Sequence, residues 1–354
     1  MLISSIFFAS CNNDSKSEHS SEAEYLSLPD KNAESEILKD SFPKINYNYI
    51  VIRDKDHLDS VKTAFKETED VPELNKMFCT LNRKERRFIK VGDTVLVADS
   101  VMKDMVAYSI FPFYYSAAKD IKKIILVSNR YQAYACYEYG KQVRFAATNT
   151  GKERTPSYPG RYAMVWKAEL RLSSLDSTWK MPFTWNIHKQ AGSAFHKFEM
   201  PGYPASHSCL RQFMDDAKWL YKWGEGEKYD SVKNTRYMTG TPVIIIDHFD
   251  FNRPRSGPWV SLRSNKDVTL ELPDNPLEVE EALIPISQIP EVSRNSLRNK
   301  QRYIFAEDTL RARGVIREGV KLIASVDFNK LRRQKAARKA KELEEKKKLM
   351  DSIN

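Results

Sequence analysis

Residues 194–221, AFHKFEMPGYPASHSCLRQFMDDAKWLY, bring two histidines and a cysteine close together in the chain. A thiol attacks only after it loses its proton, so Cys209 needs a nearby base, and His196 and His207 are the nearest candidates. Apolar residues after Cys209 recur at helical spacing, and an acidic pair beginning at Asp215 suits an early helical turn. The pattern predicts that Cys209 lies on a loop just before a helix, where backbone N–H groups can hold an anion.

The residues before Cys209 favour a loop, because the PGYP turn at 201–204 is stiff. His196 followed by PGYPASHSCLR at 201–211 resembles the signature of the L,D-transpeptidase catalytic domain of the YkuD type. In that family a histidine precedes a Ser/Thr-His-Gly-Cys-x-Arg/Asn block. The block is matched by Ser206, His207, Cys209 and Arg211, and Ser208 stands where the family usually has glycine.

The resemblance implies a peptidoglycan L,D-transpeptidase that works by acyl transfer through a thioester. Cys209 would attack the carbonyl between an L-centre and a D-centre of a stem tetrapeptide, D-alanine would leave, and an amine of a second stem would form the cross-link. His196 would be the base, His207 would shape the site, and the N–H groups of Ser208 and Cys209 would hold the oxyanion. Members of the family are typically acylated at the cysteine by carbapenems.

Three more residues are assigned to substrate binding. Arg211 can bind a substrate carboxylate or peptide carbonyl through its planar fork, with a structural salt bridge to Asp215 as the alternative. Ser206 belongs to the matched block, and Tyr203 either lines the cleft or packs as an ordinary aromatic.

Ser208 is the main departure from the family pattern. Serine adopts positive φ less cheaply than glycine, so an oxyanion hole that needs this conformation would be strained. A second departure is Lys197, where the family tends to have a small residue, although its carbonyl could still orient His196.

Three other functions remain open. Water in place of the acceptor amine would make the protein an L,D-carboxypeptidase, and decay at Ser208 would leave a catalytically inactive peptidoglycan-binding lipoprotein. A zinc site could use the ligands His188, His196, His207 and Cys209. The zinc site lacks a nearby acidic base and a familiar spacing, so we predict neither a metal nor a cofactor.

The composition fits a soluble globular protein with polar flanks. Its 354 residues are 41% hydrophobic and 29% charged, and they can hold a catalytic domain with one or two small companions. The formal net charge of +10 is concentrated at one end, because residues 330–348 carry ten Lys or Arg against three Glu.

The N-terminus suggests an envelope protein. An apolar run at 2–9 leads into Phe8-Ala9-Ser10-Cys11, which resembles a bacterial lipoprotein signal (1–11) with Cys11 as the lipidated residue. An ordinary frayed terminus is the alternative. Residues 12–44 are polar and are predicted to be a disordered tether. The prediction is therefore a periplasmic monomer anchored to a membrane by lipid, with peptidoglycan stem peptides and glycan as partners and no nucleic acid.

Residues 45–105 predict a strand, two helices and a strand. The first helix is capped at Asp56, and the second follows Pro72. With LNR at 81–83 and KVGDTVLV at 90–97, the segment loosely resembles a LysM module. LysM modules bind N-acetylglucosamine polymers, and a small packing domain without a ligand is the alternative.

The catalytic domain is predicted at 120–250, mainly β with a few helices. Its segment NTGKERTPSYPGRYAM at 149–164 resembles the family's segment between early strands. The predicted strands are 124–128, 131–137, 142–148, 162–169, 181–185, 194–198 and 241–247. A C-terminal extension at 251–328 follows.

The chain ends in a basic charged helix at 329–354, predicted to be a solvated extension, with adhesion to anionic polymers or lipid headgroups as the alternative. Two cysteines remain, Cys79 and Cys136, which are expected to be separate buried thiols rather than a disulfide.

Overall fold

A computed structural model describes residues 44–253 and 256–353. The strands are β1 (Tyr47–Val51), β2 (Thr94–Ala98), β3 (Ile124–Ser128), β4 (Ala133–Glu138), β5 (Lys141–Ala147), β6 (Gly160–Ala163), β7 (Trp166–Leu172), β8 (Lys180–His188), β9 (Ser193–Lys197), β10 (Leu210–Gln212) and β11 (Pro242–Ile245). The α-helices are α1 (Lys55–Ala64), α2 (Pro72–Asn82), α3 (Met214–Trp223), α4 (Lys300–Ile304), α5 (Ala306–Ala312) and α6 (Phe328–Ile353). The predicted fold class, mainly β with a few helices and a C-terminal charged helix, is confirmed.

A five-stranded sheet in the order β5-β4-β3-β11-β6 forms the centre of the molecule. Every residue of β3 is buried, because the sheet is covered on both faces. Ile124 and Leu126 face one core, whereas Ile125 and Val127 face the other, as the period of two requires.

A four-stranded sheet in the order β10-β9-β8-β7 carries the segment with the cysteine. The prediction of a single strand at 162–169 is wrong. Two successive strands, β6 and β7, occupy this stretch of the chain, and they belong to different sheets. The chain changes partner at its middle: the N–H of Met164 donates to Thr241, and that of Val165 donates to Asn186 on β8. Each half therefore completes a different sheet.

The N-terminal segment has the predicted order of strand, helix, helix and strand. The cap of α1 is Asp54 rather than the predicted Asp56, since the Asp54 carboxylate accepts a 2.8 Å hydrogen bond from the N–H of His57. Met77 and Phe78 of α2 share one core with the central sheet. Carbohydrate binding by this segment stays a prediction.

Arg83 ends α2 and ties the N-terminal segment to the catalytic sheet. Its φ is 52°, and its fully buried guanidinium donates to the Tyr131 carbonyl at 3.0 Å and to carbonyls of α2 itself. Because a buried guanidinium must be hydrogen-bonded to be tolerated, these bonds fix the segment against the sheet.

The C-terminal extension wraps both sides of the molecule. Arg263 accepts a 2.7 Å hydrogen bond from the N–H of Tyr47, while Tyr303 and Leu310 of α4 and α5 pack into the opposite core. Helix α6 is exposed, with the i,i+4 ion pair Arg338–Glu342 along it. Within 44–253 and 256–353, α6 is too polar to cross a membrane, and no other helix is both long and apolar enough.

The predictions about cysteines fall into two groups. Cys79 and Cys136 are buried, separate thiols, so the disulfide alternative is wrong. Cys11, the lipoprotein signal and residues 12–43 of the tether lie outside the described residues.

Candidate active site

Cys209 lies on a loop that leads into β10, not directly into a helix. Leu210 is fully buried opposite Phe195 and begins a short parallel pairing of β10 with β9. Helix α3 starts only at Met214, so the predicted anion site at a helix N-terminus beside Cys209 is wrong. The apolar residues after Cys209 therefore lie in two different elements, with Leu210 in β10 and the later ones in or near α3.

The strand register puts His196 beside the cysteine. Arg211 is the Cα partner of His196, and Cys209 lies two residues before Arg211, immediately ahead of β10. The half-buried thiol donates to the Gly192 carbonyl at 3.9 Å, and the described residues include no thiol–imidazole hydrogen bond. Catalytic hydrogen bonds are often long before substrate binds, so the placement is compatible with proton transfer.

His196 is held as a neutral imidazole. Its Nδ1–H donates to the Lys197 carbonyl at 2.9 Å, which leaves Nε2 as the proton acceptor. Burial, helped by the positive charges of Arg211 and Lys197 and opposed by the hydrogen bond to the Lys197 carbonyl, lowers the pKa of His196 to about 4. A neutral ring with a free Nε2 can accept a proton at physiological pH.

The cysteine at rest is a thiol rather than a thiolate. Burial raises the pKa of Cys209, and the N–H of Ala194 and the charge of Arg211 oppose that rise without cancelling it. Because the thiol does not ionise by itself near neutral pH, the site needs a base at the moment of attack.

Ser208 adopts the backbone conformation that favours glycine, with φ of 79°. Its carbonyl accepts a 3.0 Å hydrogen bond from the Ser157 hydroxyl, and its own hydroxyl lies 2.9 Å from that of Ser193. Since the C=O and N–H of one peptide point in opposite directions, the N–H of Cys209 faces away from Ser157. In the described part of the chain, the N–H groups of Ser208 and Cys209 donate no hydrogen bond outside the strand ladders.

We expect the free energy of unfolding of the Ser208→Gly variant to be higher than that of the Ser208→Ala variant. Both variants lose the hydroxyl contact with Ser193, but only glycine relieves the positive φ, which costs roughly 1–3 kcal/mol in other residues. Thermal and urea melts of the two variants measure the difference. Equal stability of the two would contradict a strained backbone at this position.

Ser206 holds the cysteine loop, and its assignment to substrate binding stays a prediction. The residue is buried, and its hydroxyl donates to the Cys209 carbonyl at 2.5 Å. Its carbonyl accepts from the Thr155 hydroxyl at 3.0 Å and from the N–H of Lys152 at 3.1 Å. All of its polar atoms therefore serve the loop.

Arg211 stacks over the Phe198 ring at 4.6 Å and donates to the Glu199 carbonyl at 3.2 Å. The alternative salt bridge to Asp215 is wrong, and the buried acid of that pair, Asp216, binds Arg144 instead at 2.5 Å. Among the described residues Arg211 has no carboxylate partner within 4.0 Å.

Tyr203 lies half-buried in the turn at 201–204. Gly202 has φ of 87°, and its N–H donates to the Asn149 side chain at 2.9 Å. A Cβ at Gly202 would come within 2.6 Å of the Lys84 side chain from the N-terminal segment. The turn is therefore fixed by neighbours on both sides.

His207 is held by groups that the sequence did not identify. Its Nε2 lies 3.1 Å from the Lys152 ammonium, and the Trp179 and Phe328 rings pack at 5.1 and 6.5 Å. Burial, with Lys152 and Arg211, lowers the pKa of His207 to about 4. Lys152 lies within the NTGK stretch, but no sequence pattern predicted its contact with His207.

The start of helix α6 reaches this edge of the site. Asn329 donates through its side chain to the Ser174 carbonyl at 3.1 Å and accepts from the N–H of Ser177 at 2.9 Å. Arg332 forms an ion pair with Asp176. Helix α6 thereby fixes the loop between β7 and β8 that carries Trp179.

The side chains of the zinc alternative do not converge. His188 Nε2 lies 3.1 Å from the Tyr303 hydroxyl, and its Nδ1 accepts from the N–H of Ala191. Within the described ranges, no group of three or more His, Cys, Asp or Glu is arranged to hold a metal ion.

The buried histidines predict that stability falls below pH 6.5. Burial lowers the pKa values of both His188 and His196 to about 4, against about 6.5 in an unfolded chain. Between these values the unfolded state binds more protons, so the free energy of unfolding decreases as pH falls, by at most about 1.4 kcal/mol per pH unit for each histidine. Urea melts from pH 7.5 to 4.5 measure the slope.

His188→Gln removes one of these groups outside the cysteine site, so it should flatten the slope. The matched control is His248→Gln at an exposed histidine. An unchanged slope in His188→Gln would contradict the prediction.

Together these features define a β-rich domain with a thiol on the loop before β10, a neutral imidazole on the neighbouring strand β9, and two N–H groups at the thiol that have no partner among the described residues. Residues 122–245 match the family YkuD, the L,D-transpeptidase catalytic domain. No curated protein matches the chain.

Solved structures with similar folds are L,D-transpeptidases. One from Stackebrandtia nassauensis is 20% identical over 41% of this chain and 63% of its own, with a TM-score of 0.32. One from Xylanimonas cellulosilytica is 24% identical over 35% and 59%, with a TM-score of 0.27. L,D-transpeptidase 3 from Mycobacterium tuberculosis, in complex with a faropenem-derived adduct, is 15% identical over 36% and 60%, with a TM-score of 0.28.

The chain thus spans less than two thirds of each of these structures. It contains an L,D-transpeptidase catalytic domain of the YkuD type at residues 122–245, so the resemblance drawn from the cysteine block is confirmed. The LysM-like module and the lipoprotein signal stay predictions.

Proposed function

We propose that the protein is a peptidoglycan L,D-transpeptidase that uses Cys209 as its nucleophile and His196 as its base. The observation that carries the proposal is the neutral His196 ring, with a free Nε2, on the strand beside Cys209. The match of residues 122–245 to the YkuD catalytic domain supplies the substrate class.

In the proposed reaction, Nε2 of His196 takes the thiol proton as Cys209 Sγ bonds to the carbonyl carbon before the terminal D-alanine. The N–H groups of Ser208 and Cys209 hold the resulting oxyanion, and fixed donors of this kind are worth roughly 3–4 kcal/mol each. Collapse of the intermediate breaks the C–N bond, and His196 returns the proton to the leaving amine.

The second half of the proposed reaction repeats these steps with a new nucleophile. An amine from a second stem attacks the thioester, gives its proton to His196, and releases the thiol with an amide cross-link formed. Water at the same place would give the carboxypeptidase product.

Incubation with a disaccharide tetrapeptide, followed by mass spectrometry, tests the proposal. The expected products are free D-alanine and a cross-linked dimer. Release of D-alanine with tripeptide alone would identify a carboxypeptidase. A protein that binds peptidoglycan and releases no D-alanine would contradict an enzymatic function and support the inactive binding lipoprotein.

We also propose that the protein acts in the bacterial envelope, tethered through a lipid on Cys11, because its substrate lies there and the FASC junction resembles a lipoprotein signal. Membrane fractionation of the natural protein and of Cys11→Ala tests this. The natural protein should partition with membranes and the variant should not. Identical partitioning would exclude the anchor.

A further inference from the structure

Two cations flank the cysteine loop. The N–H of Lys152 donates to the Ser206 carbonyl, three residues before Cys209, and its ammonium contacts His207, two residues before it. Arg211 follows Cys209 by two residues. The loop therefore has a positive side chain at each end.

Neither cation has an anionic partner in the part of the chain that the structure describes. No carboxylate lies within 4.0 Å of Lys152 or of Arg211, whereas the half-buried Arg144 and Lys123 are paired with acids. Glu199 is near enough to raise the pKa of Arg211 but forms no ion pair with it. Arg211 also lowers the pKa of Lys152, after the larger effect of its burial. Two like charges held together in a partly desolvated place favour binding of an anion.

The hydrogen bonding of Lys152 leaves donors unused. A protonated lysine has three N–H donors, and the contact with His207 uses one of them. Since an ammonium can only donate, His207 Nε2 must be the acceptor, which agrees with a pKa near 4 for that ring. Two N–H groups of Lys152 remain for a ligand.

The donor peptide carries a carboxylate at the required place. In a stem that ends in D-alanine, only the amide nitrogen and one α-carbon separate the attacked carbonyl from the terminal carboxylate. Bond lengths keep the two carbons within about 4 Å of each other. Whatever binds this carboxylate must lie beside Cys209.

We propose that Lys152, together with Arg211, binds the terminal carboxylate of the donor peptide and makes the enzyme select substrates that end in a free D-amino acid. Trp179 and Phe328 pack against His207, which contacts Lys152, and Lys152 is itself partly desolvated, which strengthens the attraction between charges. The inference rests on the proposed function, because it assigns a substrate group to the same site.

The test compares two donors, a disaccharide tetrapeptide that ends in D-alanine and the same molecule that ends in D-alaninamide. The wild-type protein should prefer the acid by roughly 10- to 100-fold in kcat/KM, as expected for a charge-assisted hydrogen bond. Lys152→Met should lose most of that preference, mainly through a higher KM for the acid. Lys152→Arg, which keeps the charge, should retain it.

Other outcomes overturn the inference. If Lys152→Met slows both donors equally, Lys152 only positions His207. If the wild-type protein does not distinguish the two donors, no carboxylate is recognised. If the wild-type protein releases product from neither donor, the proposed function itself fails. Thermal melts of Lys152→Met and Lys152→Arg show whether each variant is folded before the rates are compared.

Discussion

Cys209→Ala is expected to lower the release of D-alanine from a tetrapeptide donor by about 10³-fold or more, because the variant lacks the thiol that forms the proposed thioester. Cys79→Ala and Cys136→Ala are the matched controls, since both thiols are buried away from the site. Burial raises the pKa of each control thiol, as it does for Cys209, so the three variants differ in the position of the thiol and not in its resting protonation state. Initial rates of D-alanine release measure the effect.

Substantial activity in Cys209→Ala would contradict the proposal that Cys209 is the nucleophile, because another residue would then have to form the intermediate. A loss of activity in all three variants, together with lower melting temperatures, would show that the assay reports folding. The informative result is full activity in the two controls and none in Cys209→Ala.

His196→Ala is expected to lower the same rate by about 10²- to 10⁴-fold, the range typical for loss of a general base. The structural reason is the pair of opposite pKa shifts, with a cysteine that stays protonated and a histidine that stays neutral. Without the base, the thiol must ionise by itself. The residual rate of the variant should therefore rise with pH across the neutral range, where the wild-type rate is flat.

His207→Ala is the matched comparison. His207 also has a pKa of about 4, but its Nε2 is occupied by Lys152, so it is not available to take a proton from the thiol. We expect a smaller loss and no new pH dependence in this variant. Full activity in His196→Ala with loss in His207→Ala would reverse the two roles.

Local patterns predicted most of the strands and both N-terminal helices. The all-apolar run at 124–128 and the turn at Tyr139 and Gly140 gave a central strand and a hairpin, and both are present. The cap of α1 was misplaced by two residues, because Asp54 and Asp56 are equally good caps by residue type. Only the hydrogen bond to His57 separates them.

Non-local pairing limited the rest of the fold. Nothing in residues 162–169 marks the change of sheet between Met164 and Val165, since it depends on strands that lie 20 to 80 residues away. Likewise, Leu210 has the apolar spacing of the following helix, so the sequence alone predicts that it belongs to that helix. Its burial in β10 depends on Phe195 of β9.

The candidate site divides in the same way. A motif identified Cys209, His196 and the importance of Ser208, whose positive φ is what a glycine position in the motif implies. No motif identifies Lys152 or Phe328, because they contact His207 from positions 55 and 121 residues away in the chain. Membership of a motif does not distinguish a side chain that binds substrate from one that holds the loop, and the hydrogen bonds of Ser206 hold the loop.

The central claim is that Cys209 is a nucleophile in an intact site, and the mass of the protein after exposure to a carbapenem tests it most directly. We predict one added drug mass on the natural protein, located by peptide mapping to the peptide that contains Cys209 and absent from Cys209→Ala. An unmodified natural protein, or an adduct on any other residue, would contradict the account.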